Sequence, residues 1–349
     1  MNSPRISIII PSFNQGRYLE ETLLSVINQQ YPNLELFVVD GGSTDNSVEI
    51  IKKYEQHITW WVSEKDKGQS EAINKGFKKA SGEIINWLCS DDLLTPGTLH
   101  KVADYFSKAT EDTGLVHGGT THFYGKRDLL NDWGYSDPSL ERYLSGMAFS
   151  QPSAFVRKKY LDMVGGRVNE NLHYGMDYDL YCRLACVCRF LPVKEIFSRY
   201  RNHKKSKSHV EQSSFISDWN RVFVNLCKNA GWDDVLKEIS LSGFFEKELF
   251  SFYVPFSFTP DRSILDKADK KKIVFYHYSY LLKSWYRSGW VGKSKKLSEL
   301  IRKNYPPDWW KNEDGLLLIM KRLMIPTVVL WPLKKIKKIY DDSLLFIKY

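Results

Sequence analysis

Apolar and polar positions alternate between two periods over the first hundred residues. The segment RISIIIPSFN opens with a β-branched run that Pro11 ends, and residues 18–30 then place apolar side chains at helical spacing. The alternation continues with predicted strands in LELFVVD, HITWWVSE and EIINWLCS and predicted helices in DNSVEIIKKY and residues 69–79. Apolar strands that alternate with helices are typical of a parallel sheet covered on both faces. The pattern predicts an α/β fold with a mostly parallel sheet.

The pattern changes near residue 211, where helical segments rich in aromatic residues replace the alternation. Residues 270–305 predict a pair of helices broken near Gly289 and Gly292. We expect two regions: an α/β domain over residues 1–210, with halves 1–100 and 101–210, and a mainly helical region over residues 211–349 that ends in a basic amphipathic tail.

Acidic residues follow the predicted strands. Asp40 comes directly after the second strand, Asp66 lies beyond the third, and the pair Asp91–Asp92 follows the fourth. Because the carboxyl ends of parallel strands meet at one edge of a sheet, these acids should lie close together. Like charges in a cleft repel unless a cation or hydrogen-bond donors compensate them. A divalent cation held by oxygen ligands, Mg or Mn, is an economical compensation.

Structural roles are open for several residues of this edge. Asp45 could cap the next helix, and the glycines Gly41 and Gly42 could serve only a tight turn. Capping explains Asp91 and Asp92 less well, because Thr95 and Pro96 already predict the N-cap and the first position of the following helix.

Composition indicates a folded protein whose excess charge is local. Apolar residues make up 43% and charged residues 26% of 349, and the formal charge is +9. Residues 315–349 hold seven Lys or Arg and two Asp, a net +5. This local basic tail argues against a general nucleic-acid surface, and no nucleic-acid motif is visible, so we expect no nucleic-acid partner.

The cysteines and the amino terminus favour a reducing compartment. Five cysteines without a C-x-x-C pair predict buried thiols rather than a zinc site. The segment MNSPRISIII reaches its apolar run within five residues and lacks a cleavage pattern after it, so it does not predict a secretory signal. We therefore expect a cytoplasmic protein.

The ordered motifs ISIIIPSFN, VVDGGSTD and EKDKGQSEAINKGFKKASGEIINWLCSDD closely resemble the amino-terminal half of family 2 glycosyltransferases. The match runs from about residue 5 to residue 100, and it is most like bacterial enzymes that build O-antigens, capsules and exopolysaccharides. The resemblance implies a GT-A type, Rossmann-like sheet. It also implies an inverting, metal-dependent hexosyl- or N-acetylhexosaminyl-transferase that uses a nucleotide-sugar, with a UDP-sugar expected, and a glycan or polyprenyl-diphosphate-linked acceptor.

The resemblance assigns roles on the donor side. It implies that the turn from Pro11 through Ser12 to Asn14 and Asp40 hold the nucleobase and ribose, with Asp66 assisting at the base. In Ser90-Asp91-Asp92-Leu93, which stands at the D-x-D position of the family, it implies that Asp92 binds a Mn or Mg ion and that Asp91 serves the ribose side. Leu93 stands where a third acid could have been.

Residues 150–184 resemble the acceptor side of the same enzymes. Asp177 matches the family's catalytic base, and Met176 replaces the Glu that usually precedes it. Asp177 could also cap a helix, and the two roles are compatible. Gln151 is an acceptor contact or part of a structural loop. Asp179 and Arg183 have the spacing of a helical ion pair, which favours a structural role.

Two predictions concern the segment RNHKKSKSH. In relatives, a His on a loop that closes over the donor reaches the metal or the diphosphate, which makes His203 a candidate metal ligand. The bland alternative is an exposed His beside lysines. Lys205 and Lys207 are candidate phosphate contacts.

The tail has two interpretations. Residues 315–333 are apolar but interrupted by Lys321, Arg322 and Pro326, which disfavours a membrane span. An interfacial helix is favoured, flanked by the basic residues Lys334, Lys335, Lys337 and Lys338, which would place the protein peripherally on the inner face of the membrane. The alternative is a buried carboxy-terminal helix that docks on the catalytic domain.

Two other function classes compete with a transferase. A catalytically silent sugar-nucleotide-binding or scaffold protein could have the same fold. A nucleotide-dependent oxidoreductase is disfavoured because no G-x-G-x-x-G follows the first strand. The sequence names neither the sugar nor the linkage.

Overall fold

A computed structural model of the chain describes residues 3–134, 138–203, 206 and 212–325, with backbone alone at residues 212 and 213. Within the described ranges, the chain divides into two compact units. The first takes in Met1–Ser139, Met147–Ser206 and Phe256–Asp266, and the second takes in Leu140–Gly146, Lys207–Pro255 and Lys267–Tyr349. The domain boundary expected at residue 210 remains a prediction. Lys205 and Lys207 lie outside the described residues, and so do the tail lysines Lys334, Lys335, Lys337 and Lys338.

The described strands of the first unit form one sheet in the order β3-β2-β1-β4-β8-β6-β9-β5, with β7 paired to β6. The strands are β1 (Ile6–Ser12), β2 (Leu34–Asp40), β3 (Trp60–Ser63), β4 (Ile84–Trp87), β5 (Leu93–Leu94), β6 (Thr113–Tyr124), β7 (Arg127–Asp132), β8 (Ala154–Arg157) and β9 (Arg189–Arg201). The neighbours β3, β2, β1 and β4 are parallel, as predicted, and β8 joins β4 and β6 as an antiparallel strand.

The described helices fall in both units. They are α1 (Gly16–Ile27), α2 (Ser47–Lys53), α3 (Gln69–Lys79), α4 (Thr98–Lys108), α5 (Leu140–Ser145), α6 (Lys158–Met163), α7 (Met176–Ala185), α8 (Gln212–Ala230), α9 (Asp233–Leu241), α10 (Arg262–Leu265), α11 (Lys270–Arg287), α12 (Val291–Asn304), α13 (Pro307–Asn312) and α14 (Leu316–Leu323). Helices α5, α8, α9 and α11 to α14 belong to the second unit.

The parallel strands align their carboxyl ends. In register, Ser12 of β1 lies opposite Asp40 of β2, and Asp40 lies opposite Ser63 of β3. Helices pack on the strands through fully buried aliphatic side chains, and a Cβ at Gly76 of α3 would lie only 2.3 Å from a methyl of Ile9. This close approach holds α3 against β1 and sets the helix start beside the strand ends.

The start of α4 differs from its prediction. The helix begins at Thr98, and Gly97, in the left-handed region at φ 77°, takes the N-cap position instead of Thr95. The Thr95 hydroxyl instead lies 2.6 Å from the Ile196 carbonyl oxygen and donates to it. Thr95 thus bonds to β9, a strand far away in the sequence, and local sequence patterns cannot predict such a contact.

The second unit is built around α11, which carries buried aromatic and aliphatic residues over nearly its whole length. The predicted break in the helical pair is confirmed, because α11 ends at Arg287 and Gly289 follows at φ 81°. A charged cluster is buried in the same unit. Glu313 accepts hydrogen bonds from Lys283 Nζ at 2.6 Å and from the Arg142 guanidinium.

Helix α14 is the described part of the proposed interfacial segment. Its side chains Leu316, Met320 and Leu323 are buried within the second unit, while Leu318 and the two basic residues at 321 and 322 are exposed. The apolar face of this stretch is therefore covered by other helices of the second unit, whereas the alternative interpretation had placed the helix on the catalytic domain. Within the described part of the chain, none of the helices combines the length and apolar character that a bilayer crossing requires.

Candidate active site

The turn after β2 is organised by Asp40, whose side chain is fully buried. Asp40 Oδ2 accepts from the backbone N–H groups of Gly42 (3.1 Å) and Ser43 (2.9 Å) and from the Ser63 hydroxyl at 2.6 Å. Its Oδ1 accepts from the Ser43 hydroxyl at 2.5 Å. The carboxylate thus fixes the turn and joins it to β3.

Asp66 lies against the first glycine of that turn. A Cβ on Gly41 would stand 2.8 Å from Asp66 Oδ2, so the missing side chain makes room for this carboxylate. Asp66 Oδ1 accepts from the Gly68 N–H at 2.8 Å. Burial raises the pKa of Asp66, with smaller contributions from the charges of Glu71 and Asp40, and the Gly68 N–H and Lys75 oppose the shift.

The end of β1 faces the same turn. Asn14 has a positive φ of 52°, and its Oδ1 accepts from the Thr44 N–H at 2.9 Å. The Asn14 N–H donates to the Ser43 hydroxyl at 2.7 Å. The buried Ser12 hydroxyl has no hydrogen-bond partner in the described structure. A buried hydroxyl at the end of a strand, left without a partner, is chemically suited to a ligand.

Asp45 accepts hydrogen bonds at two helix starts, although the N-cap of α2 is Asn46 and not Asp45. Its carboxylate accepts from the Gly16 N–H at 2.9 Å, at the start of α1, and from the Ser47 N–H at 3.0 Å, at the start of α2. The shift of its pKa below the usual value shows that these hydrogen bonds outweigh burial, which would raise it. Asp45 therefore ties two helix starts to the turn.

The turn with Asp91 and Asp92 is anchored from α1. Thr22 donates to the carbonyl oxygens of Ser90 and Asp92, each at 2.9 Å. Asp92 is only 2% exposed, and burial, followed by the negative charge of Asp91, raises its pKa well above the usual value. The N–H and the charge of Arg201 oppose that rise without cancelling it. A buried carboxylate whose ionisation is opposed by burial, next to a second carboxylate, is a donor set suited to a divalent cation.

The end of β9 closes this turn from the other side. The Arg201 N–H donates to Asp92 Oδ1 at 3.0 Å, and Arg201 Nε donates to the Asp91 carbonyl oxygen at 2.8 Å. His203 Nε2 lies 2.8 Å from Asp91 Oδ2, and the His203 ring packs near Tyr18 at 5.0 Å between centroids. The structure thus brings the candidate metal ligand His203 to Asp91, across more than a hundred residues of sequence.

A thiol completes the cluster. Cys89 Sγ and carboxylate oxygens of Asp91 and Asp92 lie within 4.8 Å of one another. Sequence reasoning missed both Cys89 and Arg201 as members of the site. The position of Cys89 two residues before Asp91 was a usable signal, whereas nothing local marks Arg201.

The acceptor-side residues lie on the turn before β8 and on α7. Gln151 Nε2 donates to the Trp87 carbonyl oxygen at 2.7 Å, which attaches this turn to the end of β4. Asp177 lies in the first turn of α7, whose N-cap is Gly175, and its Oδ1 accepts from the Tyr178 N–H at 2.8 Å. Asp177 therefore does not take the N-cap position that the sequence left open.

The predicted ion pair on α7 is present. Asp179 Oδ2 accepts from Arg183 at 2.8 Å, and Arg183 also donates to the Val164 and Arg167 carbonyl oxygens. Both side chains are buried, so the pair is structural, as expected.

Residues 7–165 of the chain match the family model for glycosyl transferase family 2. This stretch of the chain is a glycosyl transferase family 2 domain. Among curated relatives, an uncharacterized glycosyltransferase of Rickettsia typhi is 30% identical over 224 residues, which cover 61% of this chain and 66% of that protein. The chondroitin synthase of Escherichia coli is 30% identical over 198 residues, or 55% of this chain and 28% of the synthase. The chain spans less than two thirds of these relatives.

Solved structures of two other proteins share the fold of this chain. S. aureus TarS 1-349 in complex with UDP-GlcNAc has a TM-score of 0.53 at 16% identity, covering 97% of this chain and 92% of that one. The mannosyltransferase PcManGT from Pyrobaculum calidifontis, in complex with GDP-Man and Mn2+, has a TM-score of 0.52 at 15% identity, covering 98% and 88%. The predicted fold class, a GT-A type mostly parallel sheet followed by helices, is confirmed.

Proposed function

We propose that the chain is an inverting glycosyltransferase of surface polysaccharide synthesis. It moves a hexosyl or N-acetylhexosaminyl group from a UDP-sugar to a glycan or polyprenyl-diphosphate-linked acceptor. The observation that carries this proposal is the cluster at the strand ends, where two carboxylates and a thiol lie close together and His203 contacts one of the carboxylates. A UDP donor is supported by the likeness to TarS, which was solved with UDP-GlcNAc.

On the donor side, Pro11, Ser12 and Asn14 with the Asp40 turn would hold the nucleobase and ribose, and Asp66 would assist at the base. The unpartnered hydroxyl of Ser12 supports a ligand at this place. Because the Asp40 carboxylate already accepts four hydrogen bonds, its effect on the nucleotide would act through the backbone of the turn.

The cation, Mn or Mg, would be held between the carboxylates of Asp91 and Asp92. Asp92 was the ligand implied by the sequence, but its Oδ1 is engaged by the Arg201 N–H. The Asp91 side chain is 18% exposed and contacts His203. We therefore propose Asp91 as a further ligand of the ion, a role that the sequence alone did not assign to it, and keep His203 as a candidate ligand. A bound cation supplies positive charge beside the diphosphate as that group departs.

On the acceptor side, Asp177 is the proposed base and Gln151 a proposed acceptor contact. Asp177 takes the proton of the acceptor hydroxyl while its oxygen attacks the anomeric carbon from the face opposite the diphosphate. One carbon–oxygen bond forms as the bond to the phosphate oxygen breaks, so the configuration at the anomeric carbon inverts.

A donor screen tests the activity. The purified chain is incubated with Mn2+ and a panel of UDP-, GDP- and dTDP-sugars, and release of the nucleoside diphosphate is followed. We expect consumption of a UDP-sugar that depends on the cation. If no donor is consumed while nucleotide binding persists, the silent-scaffold alternative replaces the proposal.

Replacing Asp177 by Asn tests the base. We expect transfer to fall about 10²- to 10⁴-fold, the range of general base catalysis, while the dissociation constant of UDP stays within twofold. The matched control is Asp162→Asn, since Asp162 is an exposed acid paired with Lys158 on α6. Normal transfer by the Asp177 variant, with unchanged donor binding, would show that the base assignment is wrong.

We also propose peripheral association with the inner face of the membrane through the tail beyond residue 325. The buried face of α14 leaves that role to the following residues, whose sequence holds Lys334, Lys335, Lys337 and Lys338. Deletion of residues 326–349 is expected to move the chain from the membrane fraction to the soluble fraction, and an unchanged distribution would contradict the idea.

A further inference from the structure

Cys89 lies beside the two carboxylates of the proposed cation site. It follows the end of β4, and its Sγ accepts a hydrogen bond from Gln69 Nε2 at 3.2 Å. The same thiol lies 4.0 Å from Gln151 Oε1. These two amides hold the sulfur close to the carboxylates of Asp91 and Asp92.

The spacing is compatible with one ion. Ligands of a single divalent cation, at about 2.3 Å for sulfur and about 2.1 Å for oxygen, lie no more than about 4.4 Å apart. Cys89 Sγ and the two carboxylate oxygens lie within 4.8 Å of one another, so side-chain shifts of less than about 1 Å would bring all three to one ion.

A sulfur donor changes which ions the site prefers. Carboxylates suit Mg and Mn, whereas a thiolate favours softer ions such as Zn, Co and Cd and contributes little to Mg. We propose that Cys89 is a direct ligand of the divalent cation and biases this site toward thiophilic ions and away from Mg. The thiol proton passes to solvent as the sulfur–metal bond forms. The proposal rests on the cation of the proposed function, but not on transferase activity.

The other four cysteines are not expected to give a sulfur–metal signal. Cys182, Cys186, Cys188 and Cys227 are buried, whereas Cys89 is partly exposed. Burial raises the pKa of Cys186 to about 12 and also raises the pKa values of Cys188 and Cys227, which keeps these sulfurs protonated and poor ligands. A sulfur–metal signal from the native chain therefore reports on Cys89.

Titration with Cd2+ alone tests the proposal on the full chain. The sulfur-to-cadmium charge-transfer absorbance in the ultraviolet is recorded for the native chain, for Cys89→Ser and for the control Cys227→Ala. We expect the absorbance in the native chain and the control, and its loss in the Cys89 variant with a rise of at least tenfold in the Cd2+ dissociation constant. Cys89→Asp, which supplies a hard oxygen instead, is expected to bind Mg2+ more tightly than the native chain does.

Equal Cd2+ affinity in the native chain and Cys89→Ser, or a native complex without the charge-transfer absorbance, would overturn the proposal. Mn2+ binding, measured by calorimetry on the same proteins, separates the two ideas. If Mn2+ binds and the sulfur signal is absent, the cation site stands without Cys89. If neither ion binds, the proposed cation site fails as well.

Discussion

At the scale of single residues, small changes of side-chain position decide which acids can face a ligand. Asp40 is held in the turn by four hydrogen bonds, and Asp66 occupies the space that a side chain at residue 41 would fill. The acid proposed to assist at the nucleobase is therefore Asp66, from the loop after β3, and the missing side chain of Gly41 leaves room for it.

Gly41→Ala tests this arrangement. The added Cβ would stand 2.8 Å from Asp66 Oδ2, closer than such atoms approach, so Asp66 must move. We expect the dissociation constant of UDP to rise about tenfold, or about 1.4 kcal/mol, with the fold intact. Calorimetry with UDP measures it. The control is Gly292→Ala on α12, where no atom lies within 4 Å of the added Cβ, and equal UDP affinity in both variants would contradict the role of Asp66.

At the scale of secondary structure elements, the first four strands and their helices follow directly from the sequence. Strand-to-helix alternation is local, so β1 to β4 and α1 to α3 were predicted within a few residues. The insertion of antiparallel β8 between β4 and β6 was not predictable, because pairing partners far apart in sequence leave no local pattern. The same reason explains the site: acids after strands were visible, whereas Arg201, which β9 delivers to them, was not.

β6 contains a histidine that makes the fold sensitive to acid. His117 is buried, its ring stacks on Phe149 at 4.2 Å, and burial lowers its pKa to about 3. The folded chain keeps this imidazole neutral, so unfolding takes up a proton below about pH 6.5. Its contribution to stability is complete above that pH and is lost as the pH falls toward 3.

His117→Phe should reduce this sensitivity. Between pH 7 and pH 5 the native chain is expected to lose about 2 kcal/mol more in the free energy of unfolding than the variant does. Urea unfolding at the two pH values measures the difference. Equal losses in the two proteins would show that His117 is not the group that titrates on unfolding.

The buried charges of the second unit depend on one carboxylate. Burial would raise the pKa of Glu313, but the hydrogen bonds and charges of Arg142 and Lys283 outweigh it and leave that pKa below its usual value. Glu313→Gln would remove the carboxylate that accepts hydrogen bonds from both buried cations. We expect a loss of about 3–5 kcal/mol in the free energy of opening of α11.

Amide hydrogen exchange in α11 measures that loss. The control is Glu299→Gln, which neutralises an exposed acid on α12, and we expect exchange in α11 close to that of the native chain. Similar exchange in the Glu313 variant and the control would contradict a stabilising role for the cluster.

At the scale of the whole molecule, ligand and cation should act together on stability. With UDP and Mn2+ at a free UDP concentration about 100 times its dissociation constant, the free energy of unfolding of the first unit should rise by about 2.7 kcal/mol. Adding a chelator is expected to remove most of this gain, because the cation binds beside the diphosphate. Thermal unfolding measures both, with uridine as the control ligand that lacks phosphates, and a gain that survives chelation would contradict a shared site.

The contacts of Arg201 and His203 with the acidic turn have a consequence for the synthesis of the chain. Arg201 and His203 lie 109 and 112 residues beyond the acids that they contact. At about 5–20 residues per second, a ribosome releases Asp91 and Asp92 roughly 5–20 seconds before Arg201 and His203 emerge. During that interval the nascent chain holds two neighbouring carboxylates without their positive neighbour, so the acidic turn reaches its final geometry only in the later part of translation.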